Sequence, residues 1–269
     1  MARSTVPIPP FTCFFLSLAY AMISESSVIA TRHGTRAPAG GHPVSQQKGR
    51  HMTNVLIISG TNHGFAASAE VIGGFLSEDP AIDVTVTEDK SIFTSSSLAD
   101  YDTCVLGSGF TRSERHDDGS VTYHSELTGD QEEGLFRFVA GGKGLVGVHG
   151  TGWWIGGKAA DLLGGHANWH PPGLTFTVNV TDSLHPVMQG IDDFEVEDEI
   201  YMSAWDPGIH ILASAQWAEK AHPMAWVKPY GQGRVFYTTL GHTSDTFTRP
   251  AMQQMMRQGA LWAASGAAD

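Results

Sequence analysis

Residues 142–152 constrain the fold more than any other stretch of the chain. Within them, residues 144–148 are glycine or branched apolar residues, a composition typical of a strand buried on both faces of a parallel sheet. The chain then breaks into Gly-x-Gly, and His149 stands at the break. Because ligands of open α/β sheets bind beyond the carboxyl ends of the strands, His149 is the first candidate for a functional residue.

The succession of strand, glycine-flanked turn and helix is also that of the nucleophile elbow. Hydrolases and glutamine amidotransferases carry Ser or Cys at the turn of this motif. Here the turn residue is His149. Acyl transfer to a Ser or Cys nucleophile at this position is therefore not expected.

The segments around this strand predict an α/β fold. An apolar run at residues 54–59 precedes a segment with helical spacing at residues 65–76, and a capping box at residues 128–131 predicts the start of a further helix. Parallel strands need crossover helices, so these repeated steps predict a doubly wound, mostly parallel sheet. Short strands with little helix between them, after residue 173, predict an antiparallel extension. The polar residues 110–127 are expected to form a solvated loop.

Charge divides the chain near residue 51. Residues 1–51 carry a net charge of +4 and residues 52–269 one of −16. An acidic body disfavours nucleic acid and anionic membranes as partners and suits neutral or metal-bound small molecules, while self-association is left open. No dinucleotide-binding glycine motif follows the first strand, and no phosphate-binding P-loop is present.

The first 51 residues have two interpretations. They are either an extension upstream of the natural start, expected to be disordered and outside the fold, or a leader for export. An apolar run at residues 11–23, followed by a small-residue cleavage pattern near Ala30, favours the second interpretation but is too short to span a membrane. The domain is expected at residues 52–269, in a cytoplasmic protein that is exported only if residues 1–30 are a signal peptide.

Several motifs follow the central strand in a fixed order. They are Gly164-Gly165 with His170-Pro171, His185-Pro186, Asp198-Glu199-Ile200-Tyr201, Pro223-Met224-Ala225-Trp226, the run from Gly231 to His242, and Leu261-Trp262-Ala263. In this order they resemble the ThuA-like (trehalose utilisation) family over about residues 53–264. The family commonly has an aromatic residue three positions before the His-Pro pair, where this chain has Ala167 or Asn168 and places Trp169 just beyond.

This resemblance implies both a fold and a role. The fold would be similar to the flavodoxin-like architecture of class I glutamine amidotransferases, without their Cys nucleophile. The role would lie in the metabolism of trehalose or a related disaccharide or keto-sugar, with a small carbohydrate as the partner.

Ten histidines in residues 52–269 suggest a metal site as one alternative. Four of them fall at predicted strand ends or in loops: His149, His166, His170 and His242. Neutral imidazoles with a carboxylate such as Glu199 suit Zn²⁺ or another divalent cation, with three protein ligands leaving a position for water. The other alternative is that these histidines cap turns and bind no metal.

Without a metal, the same groups could act on a sugar directly. His149 and His242 would serve as general base, with Glu199 or Asp198 as partner or acid. The residues expected to bind the substrate are His63, Trp153, Trp169, Tyr201 and Arg234. The prediction is a sugar-active hydrolase, lyase or isomerase, and the alternative is a carbohydrate-binding module without catalysis.

Overall fold

The structure is a computed structural model that describes residues 52–60, 64–108, 110–154 and 156–266. The predicted leader and the predicted substrate-binding residue His63 lie outside these ranges. Within the described ranges, no helix is both long enough and apolar enough to cross a bilayer.

The described residues form a mixed α/β domain. Its strands are β1 (Thr53–Ile58), β2 (Ile82–Thr87), β3 (Thr103–Ser108), β4 (Thr111–Arg115), β5 (Val121–Ser125), β6 (Gly144–Gly150), β7 (Gly165–Trp169), β8 (Leu174–Val180), β9 (Phe194–Asp198), β10 (Met202–Trp205), β11 (His210–Trp217), β12 (Lys220–Tyr230) and β13 (Gly233–Thr238). Its α-helices are α1 (Phe65–Ser77), α2 (Gly129–Ala140), α3 (Gly157–Leu163) and α4 (Pro250–Ala264). The predicted α/β class is confirmed.

A nine-stranded sheet in the order β2-β1-β3-β6-β13-β12-β11-β8-β9 organises the domain. From β2 to β13 all neighbours run parallel, so the carboxyl ends of five strands meet at one edge. Strand β6 lies inside this parallel half, between β3 and β13, and all of its residues are buried. This placement accounts for its unbroken run of small and branched residues, because neither face of the strand meets solvent.

From β13 to β9 all neighbours in the main sheet run antiparallel. This part contributes as many strand pairings as the parallel half, so the predicted antiparallel extension is present but the sheet is not mostly parallel. Strands β7 and β10 form a separate two-stranded sheet.

The polar residues 110–127, expected as a loop, contain the hairpin of β4 and β5. Most side chains on both strands are exposed, so the hairpin lacks the alternation of polar and apolar residues by which a half-buried strand is recognised.

Helices cover both faces of the parallel half. Along β1, Val55 and Ile57 pack with α1 and α4, whereas Leu56 and Ile58 pack with α2 and α3. Each of these four side chains is at most 1% exposed, so each stabilises the fold by about 1.5–3 kcal/mol. The two layers hold the sheet rigidly and leave its carboxyl edge for the site.

Candidate functional site

His149 ends β6 in a strained conformation. Its φ is 38°, a left-handed value that non-glycine residues rarely adopt. Thr151 stabilises the turn, because its Oγ1 donates to the Leu106 carbonyl at 2.6 Å and accepts from the Val148 amide at 3.2 Å. Strain of this kind persists only where the surrounding contacts fix it, and it is common at functional sites.

Tyr237 holds the same turn from β13. Its hydroxyl donates to the His149 carbonyl at 2.9 Å. The ring fits because Gly147 and Gly152 lack side chains: a Cβ would lie 2.7 Å from Tyr237 Cδ2 at Gly147 and 2.3 Å from the Tyr237 hydroxyl at Gly152. The glycines around His149 therefore make room for the tyrosine that fixes it.

Two hydrogen bonds define the tautomer of the His149 ring. Nδ1 lies 2.6 Å from the Thr239 carbonyl, which can only accept, so Nδ1 carries the proton. Nε2 lies 2.6 Å from the Tyr201 hydroxyl, which donates to it when the ring is neutral. Burial raises the pKa of Tyr201 far above its ordinary value, so this hydroxyl stays protonated. The Nε2 lone pair is thus occupied by the hydroxyl of Tyr201.

Glu199 and His242 converge on that nitrogen. His149 Nε2 lies 3.5 Å from Glu199 Oε2 and 3.3 Å from His242 Nδ1, and His242 Nδ1 lies 3.4 Å from Glu199 Oε1. His149 and Glu199 are 1% and 7% exposed, whereas the side chain of His242 is 45% exposed. The cluster therefore has two buried members and one that faces solvent.

Glu199 is held in its ionised form. Burial is the largest single influence and raises the pKa of Glu199. A hydrogen bond and a positive charge from His149, when that ring is protonated, and the charges of protonated His242 and His170 lower the pKa. The net effect is a pKa below the ordinary value of a glutamate. The carboxylate is consequently available as an acceptor or as a metal ligand.

Asp198 positions two members of the cluster. It is 3% exposed, and its Oδ1 accepts from the amides of Glu199 at 2.8 Å and His242 at 3.3 Å. Its Oδ2 accepts from the Gly241 amide at 2.8 Å and from Thr246 Oγ1 at 2.7 Å. The sequence predicted Asp198 as a partner of the general base or as an acid, and not as an anchor for the backbone amides of the site. The available signal was its inward position in the alternation of β9, after Phe194 and Val196.

His170 and Trp153 complete the surroundings of the cluster. His170 Nδ1 lies 3.3 Å from Glu199 Oε1 and 2.9 Å from the Pro171 carbonyl. The Trp153 ring stands edge-on to the rings of Tyr201 and His170, with centroids 5.7 and 6.1 Å away. Of the residues predicted to bind substrate, Trp153 and Tyr201 therefore lie at the cluster.

His166 and Trp169 are not brought to the cluster. His166 lies on β7, with Nδ1 3.4 Å from Asn168 Oδ1, and is outside the group of ligand atoms around His149. Trp169 is 53% exposed, and its ring packs at 6.0 Å from that of Trp217. The predicted set of four histidine ligands is thus corrected: His149 and His242 meet Glu199, and the described residues include no fourth ligand in that group.

Arg234 lies at the other edge of the sheet. It pairs with Gly144, at the amino end of β6, whereas His149 ends that strand. Five residues of strand separate the two positions, or roughly 16 Å. Arg234 is therefore not placed to bind a substrate held by His149, which corrects the prediction.

A cleft opens beside His242. Its volume is about 290 Å³, and it is lined by Gly173, Glu197, Asp198, His242, Thr243, Asp245, Thr246 and Arg249. Its lining combines apolar surface with the acidic residues Glu197, Asp198 and Asp245 and with Arg249. A small hydroxylated molecule in this cleft would meet the exposed face of His242.

Comparison with known proteins places the chain in a family. The family model ThuA, described as trehalose utilisation, matches residues 54–263. A search of curated proteins found no match.

Solved structures have a similar fold. A ThuA-like protein from Parabacteroides merdae ATCC 43184 is 19% identical with a TM-score of 0.64, over 80% of this chain and 90% of that one. A ThuA-like protein from Bacteroides uniformis ATCC 8492 is 16% identical with a TM-score of 0.63, over 83% and 95%. A β-galactosidase from Bacillus circulans sp. alkalophilus is 12% identical with a TM-score of 0.54, over 79% of this chain but 30% of that one.

At such identities these likenesses concern the fold alone. The family match is of a different kind, because it extends from the second residue of β1 almost to the end of α4. The chain belongs to the ThuA, or trehalose utilisation, family.

Proposed function

We propose that this protein is a sugar-active enzyme, a hydrolase, lyase or isomerase, that holds a divalent metal ion such as Zn²⁺ through His149, Glu199 and His242. One observation carries the proposal: the ligand atoms of these three residues all lie within 4.8 Å of one another. Two imidazoles and a carboxylate form a donor set that catalytic zinc sites use.

The spacing of the ligand atoms of His149, His242 and Glu199 supports the fit of a zinc ion. A zinc ion bound at ~2.0–2.1 Å with tetrahedral geometry requires ligand atoms about 3.3 Å apart. The separation of His149 Nε2 from His242 Nδ1 is 3.3 Å, which meets that requirement. The Glu199 carboxylate faces both nitrogens through different oxygens, with Oε2 3.5 Å from His149 Nε2 and Oε1 3.4 Å from His242 Nδ1.

The groups behind the ligands support the fit as well. Metal-binding histidines commonly donate their other ring N–H to a backbone carbonyl, which is the contact of His149 with Thr239. His170 and Asp198 orient Glu199 from two sides. One contact opposes binding: the Tyr201 hydroxyl, 2.6 Å from His149 Nε2, would have to release that lone pair.

A sugar is the substrate class that the surroundings favour. The family is described as acting in trehalose utilisation, and a similar fold forms part of a β-galactosidase. The cleft beside His242 offers carboxylates and hydroxyls that can bind the hydroxyl groups of a sugar, and Arg249 can bind a carbonyl oxygen. The net charge of −12 makes nucleic acid and anionic membranes poor partners.

Each residue has a role in this proposal. A metal ion held there would polarise a substrate oxygen or activate a bound water. His242, as the exposed member, would meet the substrate first, and Tyr201 would supply a protonated hydroxyl beside it. The turn at His149 carries no nucleophile of its own, which argues against amidotransferase chemistry. We also infer that the parallel half is of the doubly wound, flavodoxin-like type, since helices cover both of its faces.

The alternative is a carbohydrate-binding protein without catalysis. It is favoured by the burial of His149 and Glu199, which leaves only His242 of the cluster well exposed. Calorimetry that detects sugar binding without any product after long incubation would support this alternative.

Turnover of disaccharides and keto-sugars by the full-length protein tests the proposal. Wild type should form product, chelation should stop it, and Zn²⁺ should restore it, whereas His242→Ala should stay inactive with metal added. His166→Ala is the matched control, because His166 is a histidine of the same domain that lies outside the cluster, and it should keep full activity. Product formation that survives thorough chelation would exclude the metal and leave acid–base catalysis by the same residues.

A further inference from the structure

Arg234 lies in a second cleft at the amino edge of the parallel strands. Its Nη1 donates to Ser265 Oγ at 2.5 Å and to the Trp262 carbonyl at 3.4 Å. Its guanidinium carbon lies 5.1 Å from the centre of the Trp262 ring. The guanidinium is thus fixed in position by contacts that leave its positive charge without a counterion.

No carboxylate in the described part of the chain forms an ion pair with Arg234. This is notable because the protein carries 28 acidic and 16 basic residues. Arg234 Nε is also buried, and no described residue accepts a hydrogen bond from it. A buried donor left unsatisfied is costly and rare in native proteins, so the atom calls for an acceptor.

Helix α4 carries a buried hydrogen-bond acceptor that also has no partner among the described residues. Gln258 donates through Nε2 to the Gln189 carbonyl at 3.0 Å, but its Oε1 is buried with no partner among the described residues. Gln258 and Trp262 are four residues apart and therefore lie on the same helix face. Since Trp262 packs against Arg234, the unsatisfied donor and acceptor belong to one neighbourhood.

Both residues line the same cleft. Its volume is about 540 Å³, and its other lining residues are Pro186, Gln189, Leu261, Trp262 and Ser265. Among the described residues, the cleft thus has one cation without a counterion, one acceptor without a donor, and apolar side chains beside them. A ligand that matches it needs an anionic oxygen for Arg234 and a hydroxyl that donates to Gln258.

We propose that this cleft is a second binding site, for a small organic acid that also bears hydroxyl groups, of the aldonic acid type. The carboxylate accepts from Arg234 Nη2, because Nη1 already donates to Ser265 and to the Trp262 carbonyl and Nε is buried. On binding, the Gln258 side chain turns its buried Oε1 toward the cleft, where a hydroxyl of the ligand donates to it. The carbon chain of the ligand rests on Pro186 and Leu261. This site is separate from the cluster at His149 and stands whether or not that cluster holds a metal.

Calorimetry with three probes tests the proposal on the full-length protein. Gluconate carries a carboxylate and hydroxyls, propionate only the carboxylate, and glucose only hydroxyls. Gluconate should bind at least about tenfold more tightly than either of the others, because it alone satisfies both unpaired groups. Because gluconate can also bind metal ions, the titration is repeated on His149→Ala, in which binding should persist.

Two variants locate the site. Arg234→Gln should weaken gluconate binding about tenfold or more, and Gln258→Glu should do the same by placing a competing carboxylate beside Arg234. Arg137→Gln, which removes an exposed arginine of α2, is the matched control and should bind as wild type does. If Arg234→Gln fails to fold, the affinity of Gln258→Glu for gluconate tests the proposal by itself.

Equal binding of the three probes would overturn the proposal, as would gluconate binding that disappears in His149→Ala or survives both cleft variants. An absence of saturable binding by gluconate would mean that water satisfies the two groups and would overturn it as well.

Discussion

The fit of Tyr237 against Gly152 can be tested by one double-mutant cycle. In Gly152→Ala the new Cβ would lie 2.3 Å from the Tyr237 hydroxyl and 3.2 Å from its Cζ. The first distance is impossible for two heavy atoms, so the tyrosine must move and lose its bond to the His149 carbonyl. Overpacking of this kind costs about 1–3 kcal/mol and the lost hydrogen bond about 1 kcal/mol, so Gly152→Ala should lower the free energy of unfolding by about 2–4 kcal/mol.

Tyr237→Phe removes the atom that clashes. Alone it should lower the free energy of unfolding by about 1–2 kcal/mol, because the buried hydrogen bond from Tyr237 to the His149 carbonyl is lost. In the double variant only the 3.2 Å contact with Cζ remains, which a small shift relieves. The double variant should therefore be at least about 1.5 kcal/mol more stable than the sum of the single effects predicts.

Denaturant unfolding of the four proteins in the presence of a chelator measures the cycle. Gly74→Ala is the matched control, because a Cβ at that exposed helix position would meet nothing within 4 Å, and it should be neutral or stabilising by up to about 1 kcal/mol. Effects of Gly152→Ala and Tyr237→Phe that add within about 0.5 kcal/mol would refute the idea that the glycine is there to admit the tyrosine.

Three further predictions concern the cluster. Asp198→Asn should lower the free energy of unfolding by about 3 kcal/mol and abolish turnover. Both oxygens of Asp198 accept from backbone N–H groups, and in asparagine one of them is replaced by an NH₂ group that cannot accept. An unchanged free energy in denaturant unfolding would contradict this. Tyr201→Phe should bind Zn²⁺ as tightly as wild type or more tightly, because it frees His149 Nε2 from the tyrosine hydroxyl. Weaker Zn²⁺ binding by the variant, measured against a chelator, would show that the hydroxyl does not compete with the metal for this nitrogen. Chelation should lower the melting temperature of wild type but not of His149→Ala, since a ligand of the native state stabilises it, and equal shifts would disprove the linkage.

Local sequence was sufficient for the core of the fold. The buried strand β6 and its break at His149 were predictable because burial on both faces and a tight turn each leave a pattern within a few residues. The mostly exposed hairpin of β4 and β5 leaves no such pattern. The strands of the antiparallel half were predictable but their order in the sheet was not, because short strands do not indicate which of them pair.

The candidate site was predictable in its members more than in its geometry. His149 stands at a glycine break at the end of one strand, and His242 follows a glycine beyond the end of another. The two strands, β6 and β13, are parallel neighbours, so both histidines lie at the same edge of the sheet. Which of His166 and His170 approaches Glu199 depends on how the chain turns between β7 and β8, and their spacing of four residues does not specify that. Arg234 was misassigned although its place at the start of a parallel strand indicates the opposite edge of the sheet.

The most direct test of the account is the metal content of the purified full-length protein, measured by mass spectrometry after incubation with Zn²⁺ and removal of the excess. If His149, Glu199 and His242 hold the metal together, wild type and the control His166→Ala contain close to one ion per chain. His149→Ala, Glu199→Gln and His242→Ala then contain almost none. Wild type without bound metal, or the same content in all five proteins, would contradict it.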